Sequence, residues 1–302
     1  MKSSTSSSLN PATMFFAGSI SLPLLRGLMG FAQWLAPTLA GRLAFALFST
    51  PMPTKRRSPS AATDGPWRAE HWELMGLRLC TWRLSEAEGE PTRPRVLLVH
   101  GWAGSAKQMR PLAERLWSQG YEPLALDLPA HGHSQGWQTH MPQFVQALHA
   151  AAQRYGPLHA VVAHSLGAVA ASHAVATGLP ASKLVLIACS APPRQVLSWF
   201  VACFGLGRAG LTALQARLEH LAGIQLDAFE PAWLATRLKL PLLLIHDEQD
   251  KAAPLIHAQA LQQALPRGRL MLTQGLGHRR ILADPAVAEA VLGHLAEDQS
   301  EG

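Results

Sequence analysis

Ser165 stands in the string Ala163-His164-Ser165-Leu166-Gly167, directly after the apolar run Ala160-Val161-Val162 and before Ala168-Val169-Ala170-Ala171-Ser172-His173-Ala174. The first run predicts a buried strand and the second a helix, so the serine falls on a sharp strand-to-helix turn. Such a turn is strained and needs small residues two places before and after the serine. Ala163 and Gly167 meet that need, with alanine where glycine is usual. A serine hydroxyl is a weak nucleophile at neutral pH and attacks a carbonyl only when a base and an orienting acid are brought to it. On this kind of turn the acid and then the histidine follow in chain order. Asp247, Glu248 and Asp250 come after Leu242-Leu243-Leu244-Ile245, and His278 comes after Leu270-Met271-Leu272-Thr273. Both candidates lie just past the carboxyl end of an apolar strand, where open α/β sheets gather their chemistry.

The elements that must hold these residues alternate in type. Apolar strands are expected at 96–100, 123–127, 160–163, 183–188, 241–246 and 270–273. Helices are expected at 106–119, 141–155, 166–177, 255–264 and 285–296. An antiparallel pair within 72–84 precedes them, and 86–95 reads as a polar turn with two prolines. This rhythm specifies a mostly parallel sheet with helices on both faces. It breaks once, between Cys189 and Lys239, where about fifty residues replace the usual short connection.

With these motifs in hand, the chain resembles the α/β-hydrolase family over residues 70–297. The serine turn, Val99-His100-Gly101-Trp102, Asp127-Leu128-Pro129-Ala130-His131-Gly132-His133-Ser134, the acidic loop and Gly277-His278 match the family's motifs in order. The apolar N-terminal segment and Gly277-His278-Arg279-Arg280 resemble bacterial members. The resemblance implies an eight-stranded-type, mostly parallel sheet and a helical cap inserted at about 190–239. It makes Ser165 the nucleophile, His278 the general base and then acid, and Asp250 the orienting acid, with Asp247 the competitor. Backbone amides of Leu166 and Trp102 would form the oxyanion hole. His100, His131 and His133 are expected to brace loops and His164 to point away from the reaction. Arg279 and Arg280 could hold an anionic substrate but are expected to bond backbone or nearby acids. The cap's apolar residues, among them Trp199, Phe200, Phe204, Phe229 and Trp233, imply an apolar acyl or aryl substrate. The reaction implied is hydrolysis of a carboxylic ester or thioester through an acyl-enzyme, without a cofactor. Acyl transfer, carbon–carbon bond hydrolysis and a non-catalytic binding role are the alternatives.

Charge and composition bound the rest. Residues 1–69 hold seven basic residues against Asp64 alone, a balance of +6 that equals the net charge of the whole chain. The catalytic part is therefore neutral and offers no face for nucleic acid. Three cysteines, Cys80, Cys189 and Cys203, have no zinc or redox spacing, and two of them fall in expected strands. No histidine pair at helical spacing suggests a metal. Residues 1–69 read as a basic, apolar extension and linker, 70–297 as the catalytic domain and 298–302 as a tail. Residues 27–41 are uncharged but too short and too broken by Pro37 for a membrane-spanning helix. Arg26, Gly30, Gln33, Pro37 and Gly41 form a polar-or-small stripe beside a broad apolar face, and Lys55-Arg56-Arg57 follow. That pattern suits peripheral membrane contact, or packing onto the catalytic body or a second copy, through residues 14–57. A cytoplasmic protein, peripheral at the inner membrane surface, is the expectation.

Overall fold

The computed structural model describes residues 22–51, 66–84 and 93–297. The basic cluster Lys55-Arg56-Arg57, most of the expected linker and polar turn, and the tail lie outside the described residues. The chain begins with two helices, α1 (Leu22–Leu35) and α2 (Pro37–Ser49), split at Ala36 because Pro37 starts a new helix. Strands β1 (Trp67–Leu74) and β2 (Leu77–Leu84) form an antiparallel hairpin in which Trp67 pairs with Leu84. The hairpin begins five residues before the expected pair, so an extension ending at 69 would cut through β1.

The alternating part follows as β3 (Arg95–Val99), α3 (Arg110–Ser118), β4 (Glu122–Asp127), α4 (Met141–Tyr155), β5 (Leu158–His164), α5 (Leu166–Ala176) and β6 (Ala181–Ile187). Three helices separate β6 from β7: α6 (Pro193–Phe204), α7 (Gly207–Ala222) and α8 (Pro231–Ala235). The chain closes with β7 (Leu242–Asp247), α9 (Leu255–Ala264), β8 (Arg269–Thr273), α10 (Gly277–Arg280) and α11 (Pro285–Ala296). Among the described residues the strands make one eight-stranded sheet in the order β1-β2-β4-β3-β5-β6-β7-β8. β2 runs antiparallel to β4, and every pair from β4 onward is parallel.

The central strands β3 and β5 to β7 are buried on both faces, which is why they read as continuous apolar runs rather than alternating ones. α4 and α5 cover one face, with Phe144, Leu148 and Val169 against Leu97, Val161 and Leu184. α3 and α11 cover the other, with Leu112, Leu116 and Val291 against Val96, Leu98 and Val162. The stretch expected as one helix at 106–119 instead opens as a tight 3-10 turn (Ala106–Met109). Ala106 N–H is drawn off the helix axis to Asp127 Oδ1 at 2.7 Å. Cys189 lies past the end of β6 rather than within it, and all three cysteines are buried.

α6 and α7 stand over the carboxyl ends of the strands with a core of their own: Leu197, Phe200, Phe204, Leu206, Leu214 and Leu218. Met29, Ala44 and Phe45 of α1 and α2 complete that core, and Gln33 Nε2 donates to the Leu206 carbonyl at 2.9 Å. The N-terminal helices are thus built into the cap. Phe229 and Trp233 belong to the main core instead, stacked on His173. No helix among the described residues is long and apolar enough to cross a membrane.

Candidate active site

Ser165 sits between β5 and α5 at φ 56°, ψ −122°, a conformation few non-glycine residues adopt. Tight packing holds it there. A Cβ on Gly167 would lie 2.2 Å from the His100 carbonyl oxygen, and one on Gly101 would lie 2.7 Å from Ser165 Cβ. Neither position has room for a methyl group. Ala163, two residues before the serine, is fully buried in the sheet between Val99 and Leu186.

Three loops at the carboxyl edge bring the expected residues together. His278, on α10, places Nε2 2.9 Å from Ser165 Oγ and Nδ1 2.7 Å from Asp250 Oδ2. Asp250 is buried, and its Oδ1 accepts the amides of Ala252 and Ala253 at 2.8 and 2.9 Å. Burial alone would raise its pKa. The bond to His278 and the two amides outweigh that and hold the carboxyl below its usual range, so it is ionised at neutral pH.

Asp247 lies elsewhere. Its Oδ2 accepts Thr273 Oγ1 and the Leu276 amide, each at 2.9 Å, and its Oδ1 accepts the Gln249 amide. It ties the acidic loop to the histidine loop without touching His278. His246, which the sequence did not single out, donates through Nε2 to the Ala253 carbonyl at 2.8 Å and fixes the far side of the acidic loop.

His164 faces away from the hydroxyl yet contributes to the arrangement. Its Nε2 donates to the backbone carbonyl of His278 at 2.8 Å, which sets its tautomer and ties the end of β5 to the histidine loop. Burial, and then the neighbouring His278, lower its pKa to about 3, so it stays neutral.

The segment after β3 comes from the opposite side. Gly101 abuts Ser165, and Trp102 follows it with its ring against His131 and Phe144. His131 Nε2 accepts the Ala103 amide at 3.0 Å, and His100 Nε2 accepts the Leu128 amide at 3.1 Å. Asp127 is fully buried and accepts the Ala106 amide from the segment after β3 and the His133 amide from the loop after β4, so the two are locked together. Leu166 is the first residue of α5, where an amide has no carbonyl of a preceding turn to bond. Arg280 donates to the carbonyls of Leu276 and Gly275, while Asp284 caps α11 through the Val287 amide.

Beside Ser165 lies a cavity of ≈ 80 Å³ walled by Trp102, Met141, Pro193, Val196, Trp199, Leu218 and Leu226, with Phe48 closing one side. Phe48 comes from α2 and meets Phe200 edge-on at 5.2 Å. Nothing in its local sequence marks it as a site residue; only the docking of α2 on the cap brings it there. Ser190, just past β6, sits where this cavity meets a wider, more polar cleft of ≈ 770 Å³ under the other flank of α6.

Comparison with known proteins agrees with this architecture. A family model described as serine aminopeptidase, S33, matches residues 90–221, and one described as TAP-like protein matches residues 222–301. A pimeloyl-[acyl-carrier protein] methyl ester esterase of Xanthomonas campestris pv. campestris is 39% identical over 105 residues, which is 34% of this chain and 39% of that one. The match thus spans well under half the length of that relative. The enzyme of the same name from Xylella fastidiosa is 27% identical over 246 residues, covering 67% of this chain and 94% of its own. Among solved structures, Est1E from Butyrivibrio proteoclasticus, determined with ferulic acid bound, aligns with a TM-score of 0.59 at 17% identity, over 76% of this chain and 100% of that one. With the sheet order, the cap between β6 and β7 and the family models all in agreement, the chain belongs to the α/β-hydrolase family.

Proposed function

We propose that this protein is a serine hydrolase that cleaves carboxylic esters or thioesters of an apolar acyl group through an acyl-enzyme. The observation that carries this reading is the continuous relay Ser165 Oγ, His278 Nε2, His278 Nδ1, Asp250 Oδ2, with both links under 3 Å. It opens beside an apolar cavity. As Ser165 Oγ attacks the carbonyl carbon, His278 Nε2 takes its proton, and Asp250 stabilises the imidazolium without being protonated itself. The tetrahedral oxygen turns toward the amides of Leu166 and Trp102, each donor worth about 3 kcal/mol of barrier. His278 then returns the proton to the leaving alcohol or thiol. Water, deprotonated in turn by His278, attacks the acyl-enzyme and releases the acid.

The narrow cavity suits a linear or aryl acyl group, and the methyl ester named for the relatives belongs to the substrate class proposed. The catalytic domain spans 67–297, so that the whole of β1 is included, and the cap spans 190–239. Between the two partners that the N-terminal segment admits, a membrane surface and a second copy, the exposed face of α1 and α2 favours the membrane. The enzyme then works at the cytoplasmic face of the inner membrane.

A fluorophosphonate probe tests the chemistry. It should label the wild type at Ser165, and Ser165→Ala should lose both the label and at least about 10⁴-fold of turnover on p-nitrophenyl esters. A folded wild type that the probe leaves unlabelled refutes the hydrolase. Labelling with every ester inert moves the assignment to acyl transfer or carbon–carbon cleavage.

A further inference from the structure

Helices α1 and α2 present two faces of opposite character. The inner one, with Met29, Ala40, Ala44 and Phe45, is buried against α6 and α7. The outer one carries Leu28, Phe31, Trp34, Leu35, Leu39 and Leu43, each between 47% and 79% exposed. At 100° per residue, Leu28, Phe31 and Leu35 share a 60° arc of α1, and the Trp34 ring lies 6.1 Å from that of Phe31. Large apolar side chains gathered this way are uncommon on a surface that meets only water. The stripe expected beside this face also resolves. Gln33 turns inward to Leu206, whereas Gly30 and Arg26 stay exposed.

Charge decides what the face meets. Neither helix contains an acidic residue, Arg26 and Arg42 are exposed, and Lys55-Arg56-Arg57 follow soon after α2 in the sequence. On the patch itself Arg42 borders Leu39 and Leu43, whereas Arg26 lies on the Gln33 side of α1 near Gly205, so a second copy on the same patch would find a cation and no carboxylate from either helix. An anionic lipid surface offers both an apolar layer and the opposite charge. The helices measure only about 20 Å each, too short to span the hydrocarbon core but long enough to lie along its surface.

We propose that the outer face of α1 and α2 is a docking platform for an anionic phospholipid bilayer. Its inner end reaches the candidate site: α2 delivers Phe48 to the wall of the cavity beside Ser165, so the platform and the cavity share one helix. An apolar substrate partitioned into the bilayer would be presented at that wall. This last step rests on the hydrolase reading, whereas the docking itself does not.

The test uses the full chain, with vesicles of phosphatidylcholine alone and of phosphatidylcholine mixed with phosphatidylglycerol. Wild type should co-sediment with the mixed vesicles about tenfold better than with the neutral ones. The triple change Phe31→Asp, Trp34→Asp, Leu35→Asp should lower that binding at least about tenfold, and Arg42→Glu should lower it severalfold without removing an apolar residue. Fluorophosphonate labelling of Ser165 should be unaltered in both variants. Failure of the wild type to bind mixed vesicles, or equal binding by wild type and triple variant, overturns the proposal. So does a dimer in sedimentation velocity that the triple variant dissolves while no vesicle binding is seen. An unlabelled wild type that still binds vesicles would refute the hydrolase and leave the platform standing.

Discussion

At the scale of the residue, two aspartates three positions apart take different partners. Asp250 bonds His278 and Asp247 bonds the backbone around it. Asp250→Asn offers the imidazole an amide in place of a charge and permits the wrong tautomer. Steady-state kinetics should show kcat down about 10³–10⁴-fold, with the thermal midpoint little changed. Asp247→Asn should do the reverse. It leaves the amide of Leu276 or Gln249 facing an NH₂ group, so stability should fall by about 1–3 kcal/mol in denaturant unfolding. Fluorophosphonate labelling of the folded fraction should persist. A large kcat loss in the Asp247 variant at unchanged stability would reassign the acid. His164 belongs to this scale as well: adjacent to Ser165 in sequence, it bonds the carbonyl of His278, far away in the chain.

At the scale of the element, the turn between β5 and α5 depends on what crosses beneath it. α5 is buried from Gly167 through Ala174, so it cannot shift outward to relieve a clash. The His100 carbonyl lies where a side chain on Gly167 would begin. Gly167→Ala should therefore destabilise the fold by several kcal/mol or prevent soluble expression, as measured by chemical denaturation against wild type. Ala163→Gly, at the other small position, should cost about 1 kcal/mol or less and keep activity. Equal tolerance of both changes would mean that the close approach of β3 to α5 is not the constraint. The elements themselves were well marked in the sequence. Continuous apolar runs became central strands because both sheet faces are covered, and the helices at 141–155, 255–264 and 285–296 fall where periodicity set them. The 3-10 opening at Ala106–Met109 is too short to carry a periodic signal of its own.

At the scale of the molecule, the cavity is shared property. α4, α6 and α7 supply part of its wall, loops supply more of it, and α2 supplies Phe48. Truncating that ring enlarges the space beside Ser165 without touching the relay. Phe48→Ala should raise the ratio of kcat/KM for longer over shorter p-nitrophenyl acyl esters by about tenfold, the order expected of one hydrophobic subsite. An unchanged chain-length profile would show that acyl groups leave the cavity by another route, with the cleft beyond Ser190 the alternative.

The sequence by itself determined the fold class and the candidate relay, because both depend on short-range signals. Strand and helix periods are local, and a small–x–Ser–x–Gly turn followed by acidic and histidine loops fixes the order of the motifs along the chain. Only the tertiary structure shows that Asp250 bonds His278 while Asp247 bonds Thr273 and the backbone, since both lie in one acidic loop and their directions depend on how it packs against the histidine loop. It alone gave Phe48 and His246 their places, through contacts made by docking and loop packing rather than by spacing. It also divided the apolar N-terminal segment between an inner face that completes the cap and an outer face left bare. Hydrophobicity along a helix records that a surface is apolar; what that surface meets is settled by the elements folded against it.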